Sequence, residues 1–252
     1  MISNRVEEGE TANAYAEASE LVKRWPESAH AHFSLAYVLR YAGLLEASAH
    51  ECDSASALDP GDFEFRSCAY VFMLLGNPQR AMDFVSLDPT SGWAAATKAE
   101  ILARQGKLVD ARQSLEQTHS GVLLGEELMR TCFDPSRGSK LKEVAKKTED
   151  AVEAQSDAEP RYMGGTLLAY CGQTNGALRL LSAATARNYC AYTALQTDPL
   201  LANIRQRPDF PKLLGDVVNC VRGDWLRGGA GIVIAGALLL FLLQPRIRAT
   251  FA

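Results

Sequence analysis

Four histidines, six cysteines and thirty acidic residues are the groups in this 252-residue chain that could support metal binding, redox chemistry or acid–base work. Their spacing argues against each. His30, His32 and His50 with Cys52 come nearest to a metal set, but residues two apart on a helix do not share a face. A tetrahedral zinc site needs ligands clustered at characteristic short spacings, so no metal is expected. Cys52, Cys68, Cys132, Cys171, Cys190 and Cys220 lie 16 or more residues apart with no C-x-x-C pair, which predicts free, mostly buried thiols. Adjacent carboxylates such as Glu126-Glu127 and Glu149-Asp150 point about 100° apart on a helix, a pattern suited to a solvated surface rather than to paired acid and base. The chain carries no G-x-x-x-x-G-K-[ST] phosphate loop, H-E-x-x-H zinc helix, G-x-S-x-G elbow, G-x-G-x-x-G loop, H-R-D or D-F-G, each of which would place a specific chemistry. A protein without enzymatic activity and without a cofactor is expected.

With 26 basic and 30 acidic residues the net charge is -4. The basic excess on which nucleic-acid binding rests is missing, so nucleic acid is not an expected partner. A content of 47% hydrophobic and 22% charged residues suffices for a buried core. The first ten residues, Met1 to Glu10, run into acidic polar sequence without the apolar stretch of a secretory signal, so the bulk of the chain is expected in the cytoplasm.

If function resides in a surface, the elements that shape it matter most. Gly9, Ala14 and Pro26 recur as Gly43, Ser48 and Pro60, each displaced by 34 residues. The intervening sequence is Ala-rich, poor in β-branched residues and apolar at spacings of three and four, so two helices per period follow. One unit, 29–62, reads as a helix from His30 to Tyr41, a turn at Ala42-Gly43, a helix from Leu45 to Leu58 and a stop at Asp59-Pro60-Gly61. Leu35, Ala36, Leu39, Ser48, Cys52 and Ala55 occupy its inward places. This pattern resembles the tetratricopeptide family, whose 34-residue unit has a mid-unit Gly, an Ala five later and a closing Pro. Further units place Phe65, Cys68, Ala69, Phe72, Gly76 and Ala81, then Leu102, Gly106, Ala111 and Leu115, and later Gly165, Leu168, Gly172, Ala177, Leu181 and Ala184.

The departures from that pattern define the organisation. The family's helix-A Trp is replaced by His32, Phe65, Ala95 and Arg161, and Lys98 stands at an expected core place. Residues 1–28 read as an N-terminal capping helix, 29–120 and 158–188 as repeats, and 121–157 as a diverged pair, Val122–Cys132 and Ser139–Ala154. The lysines of the second helix, with Glu143 four before Lys147, predict a solvated, charge-paired face. Residues 189–224 resemble the segment that closes tetratricopeptide arrays in bacterial Ser/Thr kinases, cyclases and regulators. Leu200, Leu201, Ile204, Phe210, Leu213 and Leu214 have the spacing to cover an apolar array end, as a cap must. The resemblance implies an elongated all-α antiparallel helix-pair solenoid.

In such a solenoid the first helices of the pairs line a concave groove used for recognition. The corresponding places hold His30, Phe33, Tyr37, Arg40 and Tyr41, then Phe63, Arg66, Tyr70 and Met73, then Trp93. Aromatic rings with arginines supply large contact area and adaptable polar ends, so a protein or peptide ligand of apolar character is expected. Family members that clamp acidic chaperone C-termini use Lys and Asn where this chain has Phe33 and Tyr37, which argues against that ligand. The resemblance also implies a second function, a regulatory or sensory module acting on a separate catalytic chain.

Sixteen uninterrupted non-ionisable residues, Gly228 to Leu243, stand near the C-terminus. At 1.5 Å per residue they span about 24 Å, and the stretch 225–245 with Arg227 snorkelling matches a ~30 Å bilayer core. The segment is apolar all round, where a buried soluble helix would keep a polar stripe. A C-terminal transmembrane helix is expected, flanked by Trp225 and by Arg246 and Arg248 in the short basic tail 246–252. The lipid bilayer is thus an expected partner through Gly228–Leu243, and Gly231-x-x-x-Ala235 is a spacing through which two such helices could pair as a homodimer.

Overall fold

The helix boundaries follow capping chemistry in the computed structural model, which describes residues 2–116 and 125–223. Helix α1 spans Ile2–Glu7, α2 Thr11–Arg24, α3 Ala29–Tyr41 and α4 Leu45–Leu58. The Ser28 side chain accepts the Ala31 N–H and opens α3, satisfying a backbone donor that the helix itself leaves free. Helix α4 stops just before Asp59-Pro60, because the residue before a proline is driven out of the helical region. Both ends of this pair fall within a residue of the expectation.

The later pairs repeat the scheme. A 3₁₀ turn at Phe63–Ser67 leads into α5 (Cys68–Leu74), followed by α6 (Pro78–Val85), α7 (Gly92–Arg104) and α8 (Leu108–Glu116). Asp62 accepts the Glu64 N–H and sets the chain into the 3₁₀ turn, so this unit's first helix is shorter than its neighbours'. Helix α9 (Glu126–Cys132) and a 3₁₀ turn precede α10 (Leu141–Glu153), α11 (Ala158–Tyr170) and α12 (Thr174–Thr185). The terminal segment holds α13 (Tyr192–Thr197), a 3₁₀ turn, α14 (Ala202–Arg205) and α15 (Phe210–Gly223). Among the described residues all regular structure is helical.

Packing is sequential. Helix α3 lies on α4, α5 on α6, α7 on α8 and α11 on α12, and each pair touches the next through α2–α3, α4–α5, α6–α7 and α10–α11. Small residues permit this close approach: Ala36, Ser48, Cys52, Ala55, Ala69, Ala81, Ala111, Ala177 and Ala184 are all buried, as the repeat pattern requires. Lys98 is exposed, and its neighbours Thr97 and Ala99 face the core instead. In the terminal segment Leu200, Leu201, Ile204, Phe210 and Leu213 are buried and Leu214 is partly so.

The chain departs from a linear stack, because its first and later pairs meet. Asn188 donates to the Gly9 carbonyl at 2.8 Å, the Cys190 N–H donates to the Tyr41 carbonyl at 2.7 Å, and Arg40 on α3 pairs with Glu159 on α11. The elongated array expected from the repeats is therefore corrected: it curls until its inner faces touch. A Cβ on Gly43 would lie 1.9 Å from the Cys190 carbonyl oxygen, so only glycine admits the crossing chain at that turn.

The cysteine expectation is also corrected. All six are paired, as Cys52–Cys68, Cys132–Cys171 and Cys190–Cys220, with Cα–Cα distances of 6.0, 5.7 and 5.5 Å. Separation along the chain misled here because antiparallel packing brings residues of successive elements side by side: Cys52 sits in α4 and Cys68 opens α5. The segments 225–245 and 246–252, with the expected anchor, bilayer contact and pairing motif, lie outside the described residues. Among the described residues no helix is long and apolar enough to cross a membrane.

Candidate interaction groove

The ten expected groove residues separate into two groups by their position along each helix. On α3, His30 is exposed, Phe33 and Tyr37 are partly buried, and Arg40 and Tyr41 are fully buried. In the next unit Phe63 is 54% exposed, Arg66 and Tyr70 are intermediate and Met73 is buried; Trp93 on α7 is intermediate. The N-terminal halves of these helices thus face a surface, and their C-terminal halves converge in the interior where the array closes.

The interior group forms a polar network. Arg40 donates to Glu159 at 2.6 and 2.9 Å and to the Ser67 carbonyl at 3.1 Å, and its guanidinium lies 4.5 Å from the Tyr37 ring centre. Tyr189 donates to Glu159 at 3.1 Å and Tyr41 to Asp157 at 2.7 Å. A second node sits at Arg104 on α7, which reaches Glu100, Asp198 and Thr166. Burial pushes the carboxyls of Glu159 and Glu100 above the ordinary range, while Arg40 and Arg104 pull against it. Buried charges require such partners. The network therefore cross-links α3, α7, α11 and the terminal segment, and holds these side chains away from solvent.

The surface group borders an open groove of about 1000 Å³ between α1, α2 and α3. Ile2, Leu21, Trp25, Phe33 and Tyr37 make its floor and walls apolar. Four carboxylates, Glu7, Glu17, Glu20 and Glu64, stand around it against Arg24 and His30. Tyr37 donates to Glu7 at 3.0 Å, and burial raises the Glu7 carboxyl although this hydrogen bond opposes the shift. The Arg24 guanidinium is stacked 4.7 Å from the Trp25 ring centre. Phe63, Arg66, Tyr70 and Trp93 continue the aromatic surface beside it: Arg66 lies over both Phe63 and Trp93, and the Trp93 indole N–H donates to Tyr70 at 2.9 Å.

Sequence reasoning missed the contribution of α1 and α2. Glu7, Glu20 and Trp25 lie outside the first helices of the repeats, and the one local signal was a large aromatic, Trp25, at a helix end where it is 48% exposed. The adjacent carboxylates also behave differently from the solvated surface expected of them. Glu127 and Asp150 are exposed beside Lys147 and Lys146, whereas Glu126 and Glu149 are buried and bonded to Arg130 and Arg179. The 100° step between neighbours turned one member of each pair inward. Lys147 accordingly pairs across the hairpin with Glu127 at 3.4 Å, and not with Glu143 in its own helix.

His30, Asp62 and Glu64 place three ligand-type atoms within 4.8 Å of one another. His30 and Glu64 are exposed, and the imidazole Nε2 lies 3.2 Å from Glu64 and 3.7 Å from Asp62. Compared with protein-family models and with curated proteins, the chain matches none.

Proposed function

We propose that the protein is a non-catalytic, tetratricopeptide-like interaction scaffold that holds a protein or peptide partner in the groove bordered by His30, Phe33 and Tyr37. The observation that carries this reading is the open apolar groove at α1–α3, because apolar concavities of this size in a rigid helical frame are where partners bind. The 34-residue spacing of Gly9, Ala14 and Pro26 with Gly43, Ser48 and Pro60 supports the family resemblance. Residues 225–245 tether the scaffold to a membrane, as their length and the non-ionisable run Gly228–Leu243 within them suggest. A photo-crosslinking amino acid at position 33 should trap one discrete protein, and the same group at Glu46 on the exposed side of α4 should trap none. Equal trapping at both positions, or none at 33, rejects the reading.

The three disulfides favour a particular side of that membrane. Structural disulfides persist in oxidising compartments and are rare in reducing ones, so their presence supports placing the helical domain on the oxidising face instead of the cytoplasmic one. A membrane-impermeant protease added to sealed vesicles that expose the cytoplasmic face should then leave the domain intact. Digestion there would return it to the cytoplasm.

A further inference from the structure

The histidines that come nearest to a metal set in the sequence are separated by the fold. His32 is bonded to Glu51 and the Pro26 carbonyl, Cys52 is joined to Cys68, and His50 is exposed on α4. His30, in the first turn of α3, instead meets two carboxylates from the far end of its unit: Asp62 and Glu64, where the chain enters the 3₁₀ turn.

The imidazole Nε2 lies 3.2 Å from Glu64 Oε2 and 3.7 Å from Asp62 Oδ2, and all three atoms fall within 4.8 Å of one another. Tetrahedral zinc at about 2.0–2.2 Å from nitrogen and oxygen ligands holds neighbouring ligand atoms about 3.3–3.6 Å apart. The two imidazole distances straddle that separation. Two of the side chains are fixed by contacts outside the trio. Asp62 Oδ1 accepts the Glu64 N–H at 2.9 Å, which leaves Oδ2 to the imidazole, and the His30 ring stands edge-on to the fully buried Phe65 at 5.5 Å. Among the described residues no lysine or arginine pairs with Asp62 or Glu64. Two carboxylates thus share one imidazole, and like charges at that range repel. A divalent cation between them removes the repulsion.

We infer that His30 Nε2, Asp62 Oδ2 and Glu64 Oε2 form a binding site for a divalent transition metal, with zinc as the ion. One imidazole and two carboxylates suit zinc, whereas calcium takes about six to eight oxygens. Three protein ligands leave a fourth position to water, and the site stands at the edge of the α1–α3 groove, which His30 and Glu64 line. Metal binding here does not depend on the scaffold reading, because it needs no protein partner.

Zinc chloride titrated calorimetrically into the full chain in detergent, with the disulfides intact, tests it. A single zinc should bind per chain, and X-ray absorption should show imidazole and oxygen neighbours without sulfur. His30→Gln and Asp62→Asn should each weaken binding at least about ten-fold, since changes even beyond the ligand shell cost that much. Asparagine keeps the oxygen that accepts the Glu64 N–H, so the turn is retained in that variant. His50→Gln should leave the isotherm unaltered, and calcium at equal concentration should not compete. No zinc uptake, unchanged binding in either site variant, an equal loss in His50→Gln, sulfur among the neighbours, or equal competition by calcium would each overturn the inference.

Discussion

Arg40 and Glu159 stand 119 residues apart in the chain, yet they meet in two hydrogen bonds of 2.6 and 2.9 Å with the arginine fully buried. This bidentate pair is the point at which the α3–α4 pair is fastened to the α11–α12 pair, and it draws Ser67 and Tyr189 into the same network. Its geometry explains why half of an aromatic, arginine-bearing face ends up inside the protein.

Removing one partner leaves the other charge buried and alone, which costs about 3–5 kcal/mol in comparable sites. Arg40→Met and Glu159→Leu are each expected to destabilise by that amount in urea unfolding with disulfides intact. The double variant should recover most of the loss, because an apolar pair of similar volume needs no desolvated charge. Recovery will be incomplete, since the Ser67 carbonyl and Tyr189 hydroxyl lose their partners. Additive losses in the double variant would show that the two residues act separately.

His32 introduces a pH dependence. Its Nδ1 lies 2.5 Å from Glu51 and its Nε2 2.8 Å from the Pro26 carbonyl. Burial opposes a charge on the ring, but the Glu51 and Pro26 hydrogen bonds outweigh it and raise the imidazole pKa. A group whose folded pKa is raised stabilises fully below its unfolded value of about 6.5 and loses that contribution as pH rises through the folded value. Thermal stability should therefore fall as pH rises from about 6.5 through the raised value, and His32→Gln should flatten that segment of the curve. Parallel profiles for the two proteins would rule this out.

The cysteine pairing predicts a thiol titre of zero in denaturant without reductant and of six after reduction, together with three linked peptide pairs in a non-reducing digest. Replacing Cys132 and Cys171 together by alanine should cost about 2–4 kcal/mol in chemical denaturation. Free thiol in the unreduced protein would contradict the pairing.

Two glycines of nearly equal backbone geometry separate conformational strain from packing. Gly43 and Gly76 have φ of +77° and +70°, but a Cβ at 43 meets the Cys190 carbonyl and one at 76 meets nothing within 4 Å. Gly76→Ala should cost about 1–2 kcal/mol, the left-handed penalty alone. Gly43→Ala adds overpacking of about 1–3 kcal/mol and should loosen residues 188–191, visible as faster amide exchange at Cys190, whose N–H bonds Tyr41. Equal losses at both sites would mean the crossing contact is unimportant.

Local chemistry made much of the architecture legible. Caps, turn glycines and stop prolines act within a few residues, so the limits of α3 and α4 could be read within one position. The small residues at Ala36, Ser48 and Cys52 were readable as inward places because helix periodicity assigns a face without knowledge of the neighbour. The aromatic groove was half legible for the same reason. Periodicity puts Phe33, Tyr37, Arg40 and Tyr41 near one side of α3, but it does not say what else arrives there.

What arrives depends on contacts between residues far apart in the chain. Glu159 has no signal near Arg40, and Cys68, Cys171 and Cys220 carry no mark of their partners in the sequence. Curvature accumulates through small rotations at each helix-pair interface, and no single interface reveals that the sum closes the array. The sequence alone determined the helices, the order of the pairs and the faces they bury, since those are set by interactions within a few turns. Only the tertiary structure decided that the inner face is closed at Arg40 and open at Phe33, because that outcome is set by which distant helix comes to lie against it.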